Sequence, residues 1–206
     1  MYITLPDGSK REYQNGTTPI EVAKSISEGL ARKVCAAELN GELVDLRTEI
    51  HEDSSLKLLT FEDEGGRAAF RHTSSHILAQ AVKRLFPETK LAIGPSIAEG
   101  FYYDFDREEP FTPDDLAALE AEMKKIAKEG LELTRFTLPR AEAIALAKEK
   151  GEPYKVELIE DLPEDVELSF YKQGEFTDLC AGPHLMNTKL VKAVKLTSLS
   201  RRPRRS

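Results

Sequence analysis

Residues 62–66, which combine three acidic side chains with two adjacent glycines, divide the sequence into two segments of different periodicity. Paired glycines and clustered charge interrupt both the alternation of a strand and the repeat of a helix. We therefore place a domain boundary at this point, with domains at 1–62 and 63–199 and a basic tail at 200–206. Two domains are the usual expectation for a chain of 206 residues.

The first segment alternates short strand patterns with turn signals and contains one helix. Asp7-Gly8 and Asn40-Gly41 are dipeptides typical of tight hairpins. Thr18-Pro19 predicts the start of a helix, with threonine as the cap and proline at the first helical position, and Gly29 is expected to end it. The resulting order, ββαβββ, predicts a small β-grasp sheet crossed by one helix.

The second segment mixes helices and strands. Its first element is a long helix over residues 67–86, which ends before a proline. The elements expected after it are strands at 90–93, 101–105, 131–138, 154–159 and 166–171, a helix that begins after Thr112, and a helix over 140–150. The fold class predicted for the whole chain is α+β, a β-grasp domain followed by a mixed α+β domain.

Composition excludes several functional classes. With 32% charged residues and no run of about 18 apolar residues, the sequence is not typical of a membrane-embedded protein, and no membrane partner is expected. The N-terminus shows no targeting segment. Two cysteines, Cys35 and Cys180, are too few for a disulfide framework and suit a reducing compartment. We therefore expect a cytoplasmic protein.

The formal net charge of −7 is distributed unevenly. Residues 1–188 carry a net charge of −14, whereas residues 189–206 contain seven basic and no acidic side chains. A protein that relies on non-specific attraction to phosphates carries a basic face across its folded part. We therefore expect any nucleic-acid partner to present a small, defined piece of its structure to this chain.

Three of the four histidines lie in two short motifs. His72 and His76 are four residues apart on the long predicted helix, so both rings project from one face, nearly opposite the apolar stripe. Cys180 and His184 flank a Gly-Pro turn. Two solvated surface histidines are one interpretation. The four side chains together are also a set that binds zinc tetrahedrally, or that positions a water and a polar substrate.

These motifs resemble the editing domain shared by threonyl- and alanyl-tRNA synthetases. The segments Gly94-Pro95-Ser96-Ile97 and Gly100-Phe101-Tyr102-Tyr103-Asp104 are similar to the threonyl version. Residues 1–62 resemble the TGS domain that precedes it in bacterial threonyl-tRNA synthetases. The resemblance covers residues 1–199, and the combination of the two domains is more specific than either part.

The resemblance implies an activity and a site. The activity is proofreading, in which seryl-tRNA(Thr) is hydrolysed at the ester that joins serine to the tRNA 3′ end. The implied catalytic residues are His72, His76, Lys155, Asp178, Cys180 and His184, and the implied substrate-binding residues are Tyr102, Tyr103, Gly94 and Pro95. Because the two tyrosines alternate along a strand, only one of them is expected to face the pocket.

The resemblance also implies partners and cofactors. The partner is the 3′ end of tRNA(Thr) carrying serine, and a full-length synthetase is expected to be a homodimer through an aminoacylation core that this chain lacks. No cofactor is required for editing, although zinc is possible at His72, His76, Cys180 and His184. The basic tail is an RNA-binding arm or, as we prefer, a cloning remnant.

Two other functions are compatible with the same motifs. One is a zinc-stabilised tRNA-binding module without hydrolysis. The other is a free-standing deacylase of the alanyl type. The geometry of a bound metal ion distinguishes the zinc-stabilised module from an editing enzyme. The preferred tRNA substrate distinguishes the alanyl-type deacylase from the threonyl type.

Overall fold

The structure, a computed structural model, describes residues 1–200. Residues 201–206, most of the expected basic tail, lie outside the described residues. Within the described part, no helix combines the length and apolar character needed to cross a membrane. The architecture is α+β, as predicted.

The first segment forms a five-stranded mixed sheet crossed by a helix. Its elements are β1 (Tyr2–Thr4), β2 (Lys10–Glu12), α1 (Pro19–Ile26), α2 (Glu28–Ala31), β3 (Ala36–Leu39), β4 (Glu42–Val44) and β5 (Ser54–Leu59). The strand order is β2-β1-β5-β3-β4, with β1 and β5 parallel. The predicted order ββαβββ is confirmed, with α2 as an added short helix.

The start of α1 follows the predicted capping. The Glu21 carboxylate accepts a hydrogen bond from the Thr18 backbone N–H at 2.8 Å, and Pro19 is the first helical residue. The expectation that Gly29 ends this helix is wrong. Ser27 adopts an extended conformation and ends α1, and its hydroxyl accepts from the Leu30 N–H at 3.0 Å to begin α2.

The second segment contains four α-helices, one short 3₁₀ helix (Thr188–Leu190) and seven short strands within the described residues. These are α3 (Glu64–Leu85), β6 (Lys90–Leu91), β7 (Ser96–Ile97), β8 (Gly100–Phe101), β9 (Phe105–Asp106), α4 (Pro113–Glu129), β10 (Leu133–Thr137), α5 (Arg140–Glu149), α6 (Pro153–Asp161), β11 (Ser169–Gln173) and β12 (Phe176–Leu179). Strands β10, β11 and β12 form an antiparallel sheet, whereas β6 pairs with β9 and β7 with β8.

Two predicted strands are wrong. Residues 154–159 belong to helix α6, in which Pro153 occupies the first position and Lys155 and Ile159, four residues apart, are buried. The strand expected over 101–105 is divided, because β8 and β9 pair with different partners. Strand β12, which carries part of the site, has no counterpart in the predicted elements.

The glycines at the predicted boundary lie inside α3 rather than interrupting it. A Cβ on Gly66 would lie 1.9 Å from the carbonyl oxygen of Thr60, and one on Gly65 would lie 2.8 Å from Cδ1 of Leu59. These glycines therefore permit the helix to begin directly beside the end of β5. The boundary between domains at 1–62 and 63–199 stays a prediction.

One hydrophobic core continues across this junction. Cys35, Ala36 and Leu59 of the first sheet belong to the same cluster of buried side chains as Ile77 of α3. In the other direction, Met186 packs against the core of the first sheet. Helix α3 is buried without interruption from residue 73 to residue 82, so its histidines do not lie on an open face.

We expect Gly66→Ala to destabilise the chain by roughly 1–3 kcal/mol, because the added methyl group overpacks against backbone that cannot rotate away. Gly29→Ala is the matched control, since its Cβ would meet only the Ser27 hydroxyl, at 3.9 Å. Urea unfolding curves of both variants measure the difference. Equal stability of the two variants would contradict the close contact between α3 and β5.

Candidate functional site

Helix α3 and the loop that follows β12 bring the four predicted zinc-type ligands together. The Sγ atom of Cys180 lies 3.3 Å from Nε2 of His72 and 3.2 Å from Nε2 of His184. The imidazole centroid of His184 is 4.1 Å from that of His72 and 4.2 Å from that of His76. Residues more than 100 positions apart in the sequence thus form one cluster.

The surroundings of the histidines differ from the expectation of an open helical face. His76 is 3% exposed and His184 is fully buried, whereas His72 is only partly buried. The helical projection fails because Thr73, Ser74 and Ser75 are also buried. These small polar side chains satisfy their hydroxyl groups within the protein, so a polar face of α3 is covered as completely as its apolar face.

A buried ion pair lies beside the histidines. Nζ of Lys155 on α6 lies 2.9 Å from Oδ1 of Asp178 on β12, and both side chains are less than 10% exposed. The hydroxyl of Tyr103 donates to Oδ2 of Asp178 at 2.6 Å and accepts from Lys155 at 3.3 Å. Nε2 of His76 is 3.8 Å from Oδ2 of Asp178. This carboxylate therefore connects the ion pair with the histidine cluster.

The four residues that the resemblance assigned to substrate binding separate into two groups. Tyr103 is 8% exposed and reaches Asp178, so it is the tyrosine that faces the site. Gly94 packs against the Tyr103 ring so closely that a Cβ would lie 2.0 Å from it. The remaining pair, Tyr102 and Pro95, bond to each other through their backbones at 3.4 Å and make no described contact with the cluster.

A cavity of about 330 Å³ opens on the ion pair. Its lining includes Lys155 and Asp178, together with apolar side chains of Leu91, Phe170 and Phe176. None of the site histidines contributes to this lining. The cavity is therefore adjacent to the charged half of the site and can hold a small polar group against the Asp178 carboxylate.

Burial sets the protonation state of the cluster. Removal from water lowers the pKa of His76 to about 3 and holds the pKa of His184 well below its ordinary value. It also raises the pKa of the Cys180 thiol to about 12. Burial alone would raise the pKa of Asp178, but the Lys155 ammonium and His76 lower it below its ordinary value. At neutral pH the site therefore holds neutral imidazoles, a thiol and one carboxylate.

Thr73, Asp45 and Tyr171 also contribute to the site and were not found by sequence reasoning. The hydroxyl of Thr73 lies 3.0 Å from Nδ1 of His184, which leaves Nε2 directed towards Cys180. The carboxylate of Asp45, from the first segment, accepts from the His184 backbone N–H at 3.0 Å. In the sequence, only the position of Thr73 beside His72 indicates that it belongs to the site. Asp45 and Tyr171 reach the site through contacts between segments that are distant in sequence.

The histidine and cysteine side chains fit a zinc ion. His72, His76, Cys180 and His184 each offer a ligand atom, and these atoms lie within 4.8 Å of one another. In a tetrahedral site the ligand atoms lie about 3.3–3.6 Å apart, given Zn–N and Zn–S bonds of about 2.0–2.3 Å. The separations of Cys180 Sγ from Nε2 of His72 and of His184, 3.3 and 3.2 Å, are close to this spacing, whereas the widest pairs exceed it. Among residues 1–200, Nδ1 of His76 has no hydrogen-bond partner although it is buried, which is compatible with a ligand role.

Two family models match the chain. The TGS domain matches residues 1–60, and the threonyl and alanyl tRNA synthetase second additional domain matches residues 168–205. The second match includes Asp178, Cys180 and His184.

Several curated threonine–tRNA ligases are similar to this chain. That of Caldanaerobacter subterraneus subsp. tengcongensis is 62% identical over 200 residues, which is 97% of this chain and 31% of that protein. Those of Acetivibrio thermocellus and Clostridioides difficile are 64% and 62% identical over 198 residues, again 31% of their length. The chain thus spans less than a third of these relatives and corresponds to their N-terminal part.

We expect the chain to lose stability as the pH falls from about 6.5 towards the folded-state pKa of His76, about 3. In this window the unfolded histidine binds a proton that the buried ring does not bind, so protonation favours unfolding. His76→Gln removes this contribution. Its free energy of unfolding should therefore fall less steeply than that of the wild type, by up to about 1.4 kcal/mol per pH unit.

Urea unfolding of both proteins across this pH range measures the two slopes. The imidazole signals of His76 in NMR provide a second reading, because they should not titrate between neutral pH and about pH 5. An NMR midpoint near 6.5, or equal slopes for the two proteins, would contradict the burial of a neutral ring.

Proposed function

We propose that this chain, which carries the TGS and second additional domains of the N-terminal part of threonine–tRNA ligases, removes serine from mischarged seryl-tRNA(Thr). The reaction is hydrolysis of the ester between serine and the 3′-terminal ribose. Water adds to the ester carbonyl, the carbon–oxygen bond to the ribose breaks, and the ribose oxygen leaves with a proton. The products are free serine and uncharged tRNA.

Chemistry gives a reason for such a reaction in a protein that charges tRNA with threonine. Serine lacks one methyl group of threonine, and a binding pocket gains only roughly 1–3 kcal/mol from a single methyl or methylene group. Discrimination at one pocket is therefore incomplete. A second site that accepts the smaller product and hydrolyses it restores accuracy.

The observation that carries the proposal is the buried Lys155–Asp178 ion pair beside the neutral histidine cluster. Asp178, with its oxygens already fixed by Lys155 and Tyr103, can accept from the ammonium group of a seryl residue. Lys155 has three donor hydrogens and two partners among the described residues, Asp178 and Tyr103. A third hydrogen is thus available to the ester carbonyl oxygen, where negative charge develops.

His72 is best suited to activate the water. It is the least buried of the three site histidines, and burial lowers its pKa, so its ring is neutral at working pH. His76 and His184 lie deeper and line the pocket with His72 and Cys180. Cys180 acts as a protonated thiol rather than as a nucleophile, because burial raises its pKa to about 12.

Zinc is dispensable in this proposal. The same residues would hold it, and a zinc ion with an open coordination position would polarise a carbonyl or a water molecule. A closed site of four protein ligands would leave no position for the water that attacks the ester. Hydrolysis is therefore assigned to Lys155, Asp178 and the neutral histidines alone.

The second candidate function is a zinc-stabilised tRNA-binding module. It is favoured by the unpartnered Nδ1 of His76 and by the spacing of the four ligand atoms. It is the weaker candidate, because a purely structural zinc site does not account for the ion pair and the cavity beside it. An alanyl-type free-standing deacylase would instead prefer mischarged alanine tRNA.

The proposed substrate also defines the setting in which the chain works. The partner is the acylated 3′ end of tRNA(Thr), and the proposed location is the cytoplasm, where tRNAs are charged. The whole protein is proposed to be a homodimer formed through an aminoacylation core.

We expect the chain to release serine from seryl-tRNA(Thr) and to leave threonyl-tRNA(Thr) largely intact. His72→Gln should lower the rate by about 10²–10⁴, the contribution of a positioned general base. The control is His51→Gln, which changes an exposed histidine outside the site. Release of labelled serine measures both rates, and a chelator should leave them unchanged.

A rate for folded wild-type protein that equals spontaneous hydrolysis would overturn the proposal. Activity lost on chelation and restored by stoichiometric zinc would instead assign the chemistry to the metal. His76→Ala is unsuitable as the main test. Removal of a ring that is 3% exposed leaves a cavity, so a loss of activity in this variant would not separate chemistry from stability.

A further inference from the structure

The loop that carries Cys180 and His184 forms hydrogen bonds with the first segment of the chain as well as with the second segment, to which it belongs. Both oxygens of Asp45, which follows β4, are occupied. Oδ2 accepts from the His184 backbone N–H at 3.0 Å and from the Tyr171 hydroxyl at 2.9 Å. Oδ1 accepts from the backbone N–H and from Nη1 of Arg47, each at 2.9 Å. Asp45 is 8% exposed.

Arg47 extends this contact to more of the same loop and to the first residue of β10. Its guanidinium donates to the carbonyl oxygens of Leu133 at 2.6 Å and Leu185 at 2.9 Å, and more weakly to that of His184 at 3.3 Å. These acceptors would otherwise be backbone groups in need of partners. One Asp-Arg pair of the first segment therefore fixes the backbone on both sides of His184.

Tyr171 connects Asp45 with the Gly-Pro turn between Cys180 and His184, because it contacts both. Its ring centroid is 4.5 Å from that of His184. A Cβ on Gly182 would lie 2.2 Å from the Tyr171 hydroxyl oxygen, and Gly182 has a φ of +81° that favours glycine. Burial and the neighbouring Asp45 raise the pKa of Tyr171, so its hydroxyl remains a donor to the carboxylate.

The Asp45 position requires a carboxylate. Four hydrogens point at its two oxygens, and a carboxylate can accept all of them. An asparagine would direct its NH₂ group at the donors on one side. The loop would then have to shift to relieve a buried donor–donor contact.

We propose that Asp45 is a positioning residue for the site, and that through Asp45 the first domain holds His184 and Cys180 in their working geometry. The role in catalysis rests on the proposed hydrolysis, whereas the geometry itself does not. The first domain would therefore contribute to the reaction by positioning the loop that carries Cys180 and His184. Asp45 touches neither substrate nor the reacting atoms, and it acts through the backbone of His184 and the ring of Tyr171.

The test compares Asp45→Asn with Glu49→Gln in the full chain. Glu49 is an exposed carboxylate a few residues along the same connection, and within residues 1–200 its ion-pair partner is the exposed His51 rather than a site residue, so its variant should match the wild type. For D45N we expect kcat for serine release to fall on the order of 10–100-fold. KM should stay within about twofold, because the residues proposed to bind the seryl group are unchanged.

A second measurement does not depend on hydrolysis. Cys180 Sγ is held by His72, His184 and the Gly182 N–H, and a released loop exposes it. Alkylation of Cys180 by iodoacetamide, followed by mass spectrometry, should therefore be roughly fivefold or more faster in D45N. Cys35, which is 1% exposed, is the internal reference. Should D45N fail to fold, Tyr171→Phe takes its place, since it keeps the ring and removes one bond to Asp45.

The outcomes are distinct. A folded variant with unchanged kcat and unchanged alkylation overturns the positioning role. Faster alkylation in a chain whose wild type has no deacylase activity supports the geometry and rejects the proposed function. Equal losses of kcat in D45N and E49Q would also overturn the positioning role, because the effect would then come from the loss of a negative charge rather than from the contact with His184.

Discussion

The burial of the middle of α3, residues 73–82, on every side is the constraint on which the rest of the structure depends. Its N-terminal turn lies against the end of β5, and its middle is enclosed by both segments. A helix without an open face must satisfy its polar side chains internally. Thr73 bonds to His184, Ser75 donates to the Gly94 carbonyl at 2.7 Å, and Gln80 accepts from Gln173 at 2.8 Å. Each of these bonds attaches a distant segment to the helix, and together they assemble the site.

The same burial determines the chemistry that the cluster can perform. Desolvation disfavours charge, so the histidines stay neutral and the cysteine stays a thiol. Asp178 stays ionised despite its burial, because the neighbouring Lys155 ammonium lowers its pKa. A neutral base close to a fixed charge pair suits the attack of water on an ester, in which negative charge develops on one oxygen.

Local signals in the sequence were sufficient for several elements. Capping residues located α1 and α4, hairpin dipeptides located the turns of the first sheet, and the spacing of histidine and cysteine selected four side chains that the fold does bring together. The alternation of apolar and polar residues at 154–159 led to a wrong prediction. These residues predicted a strand, but they form a helix with Lys155 on its buried face.

The remaining errors arise from tertiary contacts. A helical projection ranks faces by apolar residues, so it placed His76 in the open, although Phe176, Asp178 and His184 cover that face. The glycines at residues 65 and 66 were interpreted as a break, whereas they allow a close approach of helix to strand. Asp45 had no signal in the sequence, because its partners in the site, Tyr171 and His184, lie more than 120 residues away.

Binding of non-hydrolysable amide analogues of seryl- and threonyl-adenosine tests the central claim most directly. Isothermal titration of the wild type and of Asp178→Asn would report whether the buried pair recognises the amino acid. The account predicts that the seryl analogue binds at least about tenfold more tightly than the threonyl analogue, and that Asp178→Asn abolishes this binding while the protein stays folded. Equal affinity for the two analogues, or unchanged binding to a folded Asp178→Asn variant, would contradict it.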